Sequence, residues 1–158
     1  MLRDPLAHTP HPHVLLAEDD PDQSEMLKDV LESEGYEVDT AFSGDAAWHK
    51  LNSRVYNLVL LDVRMPGLNG SEVLRLYRKA EKGTHTPVVI VSAFATEAQA
   101  REYSRDGADR IYSKPYEIEE LLKGIRELIA RSSTAPAKGN GDGNAAPPAS
   151  NGATPWKQ

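Results

Sequence analysis

The chain has 158 residues, 39% hydrophobic and 27% charged, with a net charge of −6 and no cysteine, a length that suits one domain of ordinary size plus loose ends. The missing cysteine excludes disulfides and cysteine catalysis, no apolar run approaches the ~18 residues that span a bilayer, and the opening MLRDPLAHTPHP has no signal-peptide pattern. Segment 13–131 carries −7 of the charge, so no basic stripe for nucleic acid exists, and a soluble cytoplasmic protein is the expectation.

Taken in order, Val14-Leu15-Leu16-Ala17 lies in a strand over His13–Ala17 that runs straight into Glu18-Asp19-Asp20. Asp20-Pro21 supplies a helix N-cap followed by proline at the first helical position. Leu27, Val30 and Leu31 give that helix its inward stripe, and Gly35 ends it. Tyr36–Thr40 alternates as a second, more exposed strand. Ser43 caps a helix over Gly44–Asn52, with Ala47 and Leu51 inward and Trp48 at the edge.

Asn57–Asp62 is the third strand, continuous in apolar residues and therefore buried on both faces. It stops at Asp62, before the turn Val63-Arg64-Met65-Pro66-Gly67. A helix over Glu72–Ala80 bears Val73, Leu74, Leu76 and Tyr77. Pro87–Val91 is the fourth strand and runs into Ser92. Thr96–Asp106 is helical but thin in apolar residues, with Ala98, Ala100 and Tyr103 as anchors, and Gly107 breaks it.

Asp109–Ser113 is the fifth strand, ending at Lys114-Pro115. The last helix, Ile118 to Ala130, aligns Ile118, Leu121, Leu122, Ile125, Leu128 and Ile129 on one face. After Arg131 there is no Val, Ile, Leu, Met or Phe, and Ala, Gly and Pro fill 14 of 27 positions. Such a segment cannot bury enough apolar surface to offset its ordering entropy. The expected organisation is a flexible segment 1–12, a domain over 13–131 and a disordered tail 132–158 whose Trp156 is solvated.

Strands alternating with helices imply right-handed crossovers and a parallel sheet covered on both sides. Five such units suit the flavodoxin-like order 2-1-3-4-5, an α/β fold whose site lies beyond the carboxyl ends of strands 1 and 3. Glu18, Asp19 and Asp62 fall there. Three facing carboxylates repel one another unless a cation intervenes. Magnesium fits, because it binds through one or two carboxylates and keeps several waters. Asp19 and Asp62 are assigned as direct ligands and Glu18 as a water-mediated partner, while Asp20 caps its helix. His8, His11 and His13 lack a fourth metal ligand, and His49 and His85 read as exposed.

Four stretches, LLAEDDPD, LVLLDVRMPGLNG, VVIVSAFA and GADRIYSKPY, follow one another in register across roughly residues 13 to 131. In them the chain resembles the response-regulator receiver domain of two-component signalling, of the stand-alone, chemotaxis-regulator-like kind. The resemblance implies that Asp62 is the phosphoacceptor for a sensor histidine kinase or a histidine phosphotransfer protein. It adds the Arg64 backbone carbonyl as a magnesium ligand, Lys114 and Ser92 as donors to the phosphoryl group, and a cis Lys114–Pro115 peptide. Arg64 and Phe94 stand where the family tunes attack by water. Both are large, so slow self-dephosphorylation is expected, with no enzymatic activity beyond the domain's own phosphorylation and its loss.

Departures accompany the matches. The aromatic residue often found three positions before the lysine is Ile111 here, and Tyr112 sits one place later, on the other face of the strand. Ser92 stands for the commoner threonine, and Asn69 for a frequent aspartate. No helix-turn-helix follows residue 131, so a receiver without an output domain is expected, monomeric or weakly dimeric, touching a downstream protein through the 94–131 face. A haloacid-dehalogenase phosphatase would need a second aspartate where Arg64 stands. A flavodoxin would need a Ser/Thr/Gly-rich loop where Glu18-Asp19-Asp20-Pro21-Asp22 stands. A phosphorylation-independent interaction module leaves the full set of Asp19, Asp62, Ser92 and Lys114 unexplained.

Overall fold

The computed structural model describes residues 11–93 and 95–134. Its elements in order are β1 (His13–Ala17), α1 (Pro21–Ser33), β2 (Glu37–Ala41), α2 (Gly44–Ser53), β3 (Leu58–Asp62), α3 (Gly70–Lys79), β4 (Val88–Ser92), α4 (Glu97–Arg105), β5 (Arg110–Ser113) and α5 (Ile118–Thr134). A short 3-10 turn over Glu81–Gly83 precedes β4. The five strands form one parallel sheet ordered β2-β1-β3-β4-β5. The flavodoxin-like α/β expectation holds.

Every residue of β3 and of β4 is buried, as continuous Val, Ile and Leu runs require of strands covered on both faces. Alternation splits the core into two layers. Leu15, Val59, Leu61, Ile90 and Ile111 pack with the helices α2, α3 and α4. Leu16, Leu60, Val89, Val91 and Tyr112 pack with α1 and α5. The period-2 geometry of a strand sends Ile111 and Tyr112 to opposite layers.

Helix starts follow their caps. Asp20 accepts from the backbone N–H groups of Asp22 and Gln23, and Ser43 from Ala46. Asn69 accepts from Glu72 N while Glu72 answers the Asn69 N–H, a complete capping box. For that reason α3 begins at Gly70, two residues ahead of the expected Glu72. Thr96 and Gln99 form a second complete box at α4.

Two expected anchors face outward. Leu76 is exposed, because Val73, Leu74 and Tyr77 already define the inward stripe and Leu76 lies about 200° around the helix from Leu74. Ala98 is exposed for the same reason, leaving Ala100 and Tyr103 to hold α4. Strand β2 sits one residue later than expected, and α5 continues to Thr134 instead of stopping at Ala130. Phe94 and the tail from residue 135, including Trp156, lie outside the described residues.

One contact ties the upper loops together. Gly44 donates its N–H to the Pro66 carbonyl at 3.2 Å, and a Cβ built on Gly44 would overlap the Leu68 backbone carbonyl. Gly67 has φ +76, and a Cβ there would collide with the Asp45 carboxylate. The loop after β3 thus needs two glycines to lie against the start of α2. Gly44→Ala is expected to destabilise the fold by about 1–3 kcal/mol through overpacking against backbone that cannot swing aside, outweighing the better helix propensity of alanine. Urea unfolding at constant m-value measures it.

Candidate functional site

The carboxyl ends of β1, β3, β4 and β5 bring four polar residues to one edge of the sheet. Asp62 ends β3 in register with Val91 of β4, so Ser92 stands one step beyond it on the neighbouring strand. The Lys114 amide donates to the Ser92 carbonyl at 2.8 Å, which extends the β4–β5 pairing to the lysine. The Lys114–Pro115 peptide is cis, as expected.

Glu18 and Asp62 are buried, 3% and 6% exposed, whereas Asp19 is exposed. The Lys114 ammonium crosses the gap between them. Its Nζ lies 2.8 Å from Asp62 Oδ2, 3.0 Å from Glu18 Oε1 and 3.1 Å from Gln23 Oε1. Backbone donors satisfy the remaining carboxylate oxygens. Arg64 N–H reaches Asp62 Oδ1 at 3.0 Å, and Asp20 N–H reaches Glu18 Oε2 at 3.0 Å.

Beneath this layer a cavity of about 10 Å³ is walled by Leu16, Leu27, Leu60, Val91 and Tyr116, with Glu18 and Asp62 at its border. That apolar floor has an electrostatic consequence. Burial pushes the Glu18 carboxyl up to about 6; the Asp20 amide and Lys114 oppose the rise, and the Asp62 charge adds to it. For Lys114, burial alone would lower the ammonium, but the Asp62 and Glu18 carboxylates outweigh it and hold the pKa above its ordinary value.

The structure therefore unites Glu18, Asp19, Asp62 and Lys114. One carboxylate oxygen from each of the three acids lies within 4.8 Å of the others. These are hard oxygen donors, one of them exposed to water, and they fit a small divalent cation that retains part of its hydration shell. Ser92 is buried at the same edge, but within the described residues no hydrogen bond joins its hydroxyl to Asp62 or Lys114. At Arg64 the backbone N–H donates to Asp62 Oδ1.

The sequence alone assigns Gln23 no role; its one local signal is its place three residues after the Asp20 cap, where a capping box puts a Glu or Gln. Among the described histidines, His49 and His85 are exposed, and His13 packs edge-on against Tyr56 with ring centroids 5.5 Å apart; His8 lies outside the described residues.

Comparison with known proteins agrees with this geometry. The family model for the response regulator receiver domain matches residues 14–126. The chain belongs to that family. The receiver is 40% identical over 119 residues to the transcriptional regulatory protein TctD of Salmonella typhimurium, covering 75% of this chain and 52% of TctD. It is 39% identical over 121 residues to a CpxR homolog of Haemophilus influenzae, covering 77% and 52%.

Among solved structures, the Francisella response regulator 1452 receiver domain superposes with a TM-score of 0.73 at 32% identity, covering 77% of this chain and 99% of that one. The receiver domain of sensor histidine kinase PA1611 from Pseudomonas aeruginosa, described with a magnesium ion coordinated in its active-site cleft, gives 0.70 at 27% identity, covering 76% and 98%. The chain spans about half the length of the curated relatives it matches. The expectation of a receiver without an output domain therefore draws no support from them.

Because burial pushes the Glu18 carboxyl up to about 6 from its ordinary 4.5, protons are expected to compete with a cation at this cluster in mildly acidic solution. Magnesium affinity is expected to be constant above about pH 7 and to weaken toward about tenfold per unit below pH 6, the slope of single-proton competition. Calorimetric titration from pH 7.5 to 5.0 reads that slope; a flat profile would show that no raised carboxyl competes with the cation in this range.

Proposed function

We propose that the receiver accepts a phosphoryl group on Asp62 from a sensor histidine kinase or a histidine phosphotransfer protein. The observation that carries this reading is the convergence of Asp62 with Glu18, Asp19 and Lys114 at one sheet edge. In the proposed step an Asp62 carboxylate oxygen attacks the phosphorus of a phosphohistidine. The new O–P bond forms as the N–P bond breaks, and the imidazole leaves with the bond's electron pair. Such transfer depends mainly on positioning and on neutralising the phosphoryl oxygens.

Lys114 supplies one positive charge, already within hydrogen-bond reach of the attacking group. The Arg64 N–H holds Asp62 Oδ1, which orients the carboxylate and leaves Oδ2 facing the ammonium. Ser92 is proposed as a further donor, reaching the phosphoryl group once it is attached. Magnesium held by Asp19 and Asp62, with Glu18 through water and the Arg64 carbonyl as a further ligand, would supply additional charge neutralisation at the same oxygens. The magnesium described for the PA1611 receiver supports that assignment.

No enzymatic activity is proposed beyond self-phosphorylation and slow self-dephosphorylation, the latter resting on bulky Arg64 beside the acceptor. The receiver is taken as residues 13–131, cytoplasmic, monomeric or weakly dimeric. Among the described residues no helix is long and apolar enough to cross a membrane. Its own output is proposed as contact with a downstream protein through the 94–131 face. The regulatory activity of its longer relatives is not carried over.

With magnesium and acetyl phosphate the receiver is expected to acquire one base-labile phosphoryl adduct. Asp62→Asn should abolish it without unfolding the protein, and Asp19→Asn should weaken magnesium binding at least tenfold by removing a direct ligand. Equal labelling of wild type and Asp62→Asn would overturn the assignment.

Output has its own test. Helix α4 is held by Ala100 and Tyr103 alone among its buried residues, so few apolar contacts resist its displacement. Tyr103 shares a core layer with Ile111, and Tyr103 or Phe94 is proposed to supply the repacking ring that Ile111 lacks. Beryllofluoride with magnesium is expected to change amide exchange in residues 95–112; protection changes confined to the loop after Asp62 would rule this route out.

A further inference from the structure

Three helices of the described chain begin with a side-chain cap and a Glu or Gln at the third helical position. In α3 and α4 the box closes on itself: Glu72 Oε1 accepts the Asn69 N–H at 2.9 Å, and Gln99 Oε1 accepts the Thr96 N–H at 3.1 Å. In α1 it does not. The Asp20 N–H donates to Glu18 Oε2 instead, so the carbonyl of Gln23 is released from its usual duty. That oxygen accepts from Lys114 Nζ at 3.1 Å.

The orientation of the Gln23 amide follows from its neighbours. Nε2 donates to Asp20 Oδ2 at 3.2 Å while Oε1 faces the ammonium. The flipped amide would set NH₂ against NH₃⁺ and oxygen against a carboxylate, so only one orientation is compatible with both partners. An ammonium has three donors, and the third is committed here to a neutral acceptor on α1, after Asp62 and Glu18 have taken the other two. Unlike those carboxylates, the amide is neutral and is neither a phosphoryl acceptor nor a strong ligand for a hard cation.

We infer that Gln23 is a positioning residue for phosphoryl transfer. It tethers the Lys114 ammonium from the α1 side, so that the lysine stays over Asp62 Oδ2 while its two carboxylate partners are being phosphorylated or drawn toward metal. This inference rests on the phosphoacceptor reading of Asp62. It adds a link that the helix cap alone would not have, since Glu18, Asp20, Gln23 and Lys114 form one hydrogen-bonded chain.

The test uses the full 158-residue chain, saturating magnesium and acetyl phosphate, whose O–P bond to acetate breaks as the Asp62 acyl phosphate forms. Labelling rates are compared for wild type, Gln23→Leu and Gln23→Glu, with Asp62→Asn as the blank and thermal unfolding as the check on fold. Gln23→Leu is expected to label about threefold to tenfold more slowly, the effect of losing one hydrogen bond to a charged group in a partly exposed site. Gln23→Glu, which retains an oxygen acceptor for Lys114 but sets a carboxylate against Asp20, recovers part of that loss.

Equal rates for wild type and Gln23→Leu would overturn the positioning role while leaving Asp62 as acceptor. Equal slowing by Leu and Glu would overturn it too, because restoring an oxygen acceptor for Lys114 would then restore no rate. Wild-type protein that shows no Asp62-dependent labelling would remove the phosphoacceptor reading itself, and this inference with it.

Discussion

Two buried carboxylates, Glu18 and Asp62, meet at the carboxyl edge of the sheet over an apolar floor, and the Lys114 ammonium between them makes that arrangement tolerable. Without a cation the pair would repel in a poorly solvated site, and one carboxyl would have to take up a proton. The lysine reaches them from the exit of β5, where its backbone is bonded to the Ser92 carbonyl. The order of the sheet therefore decides the chemistry: β1, β3 and β5 deliver the two acids and the base, and β4 delivers the residue that anchors the base.

A residual tension remains at this edge. Glu18 is held near a mildly acidic pKa by burial, while Lys114 is held firmly charged by its two partners. A divalent cation or a phosphoryl group entering here meets groups whose interactions already compete. Loops that end in Gly44 and Gly67 contacts carry the edge of the site to the start of α2, and the short, sparsely anchored α4 lies beyond Ser92.

Helix caps share in the same network. At α3 and α4 the capping residues satisfy only their own helices. At α1 the neighbouring Glu18 captures the N-cap amide, and Gln23 turns to the lysine. A local device for ending backbone polarity thus becomes part of a site, because an acidic residue two positions before the cap competes for the same donor.

The five strands, their order in the chain and the polar residue at each strand end were legible in the sequence, because continuous Val, Ile and Leu runs and capping residues are local signals with direct physical causes. So was the meeting of Glu18, Asp19, Asp62 and Lys114, since parallel strands must all end at one edge. What only the tertiary structure decided was competition. Leu76 and Ala98 are apolar yet exposed, because neighbouring residues already filled the inward stripe. Gln23 stands where a capping box would use it, but Glu18, five residues earlier in the chain, takes the Asp20 amide. A sequence lists what each group can bond; which of several acceptors wins a given donor depends on distances that exist only once the chain is folded.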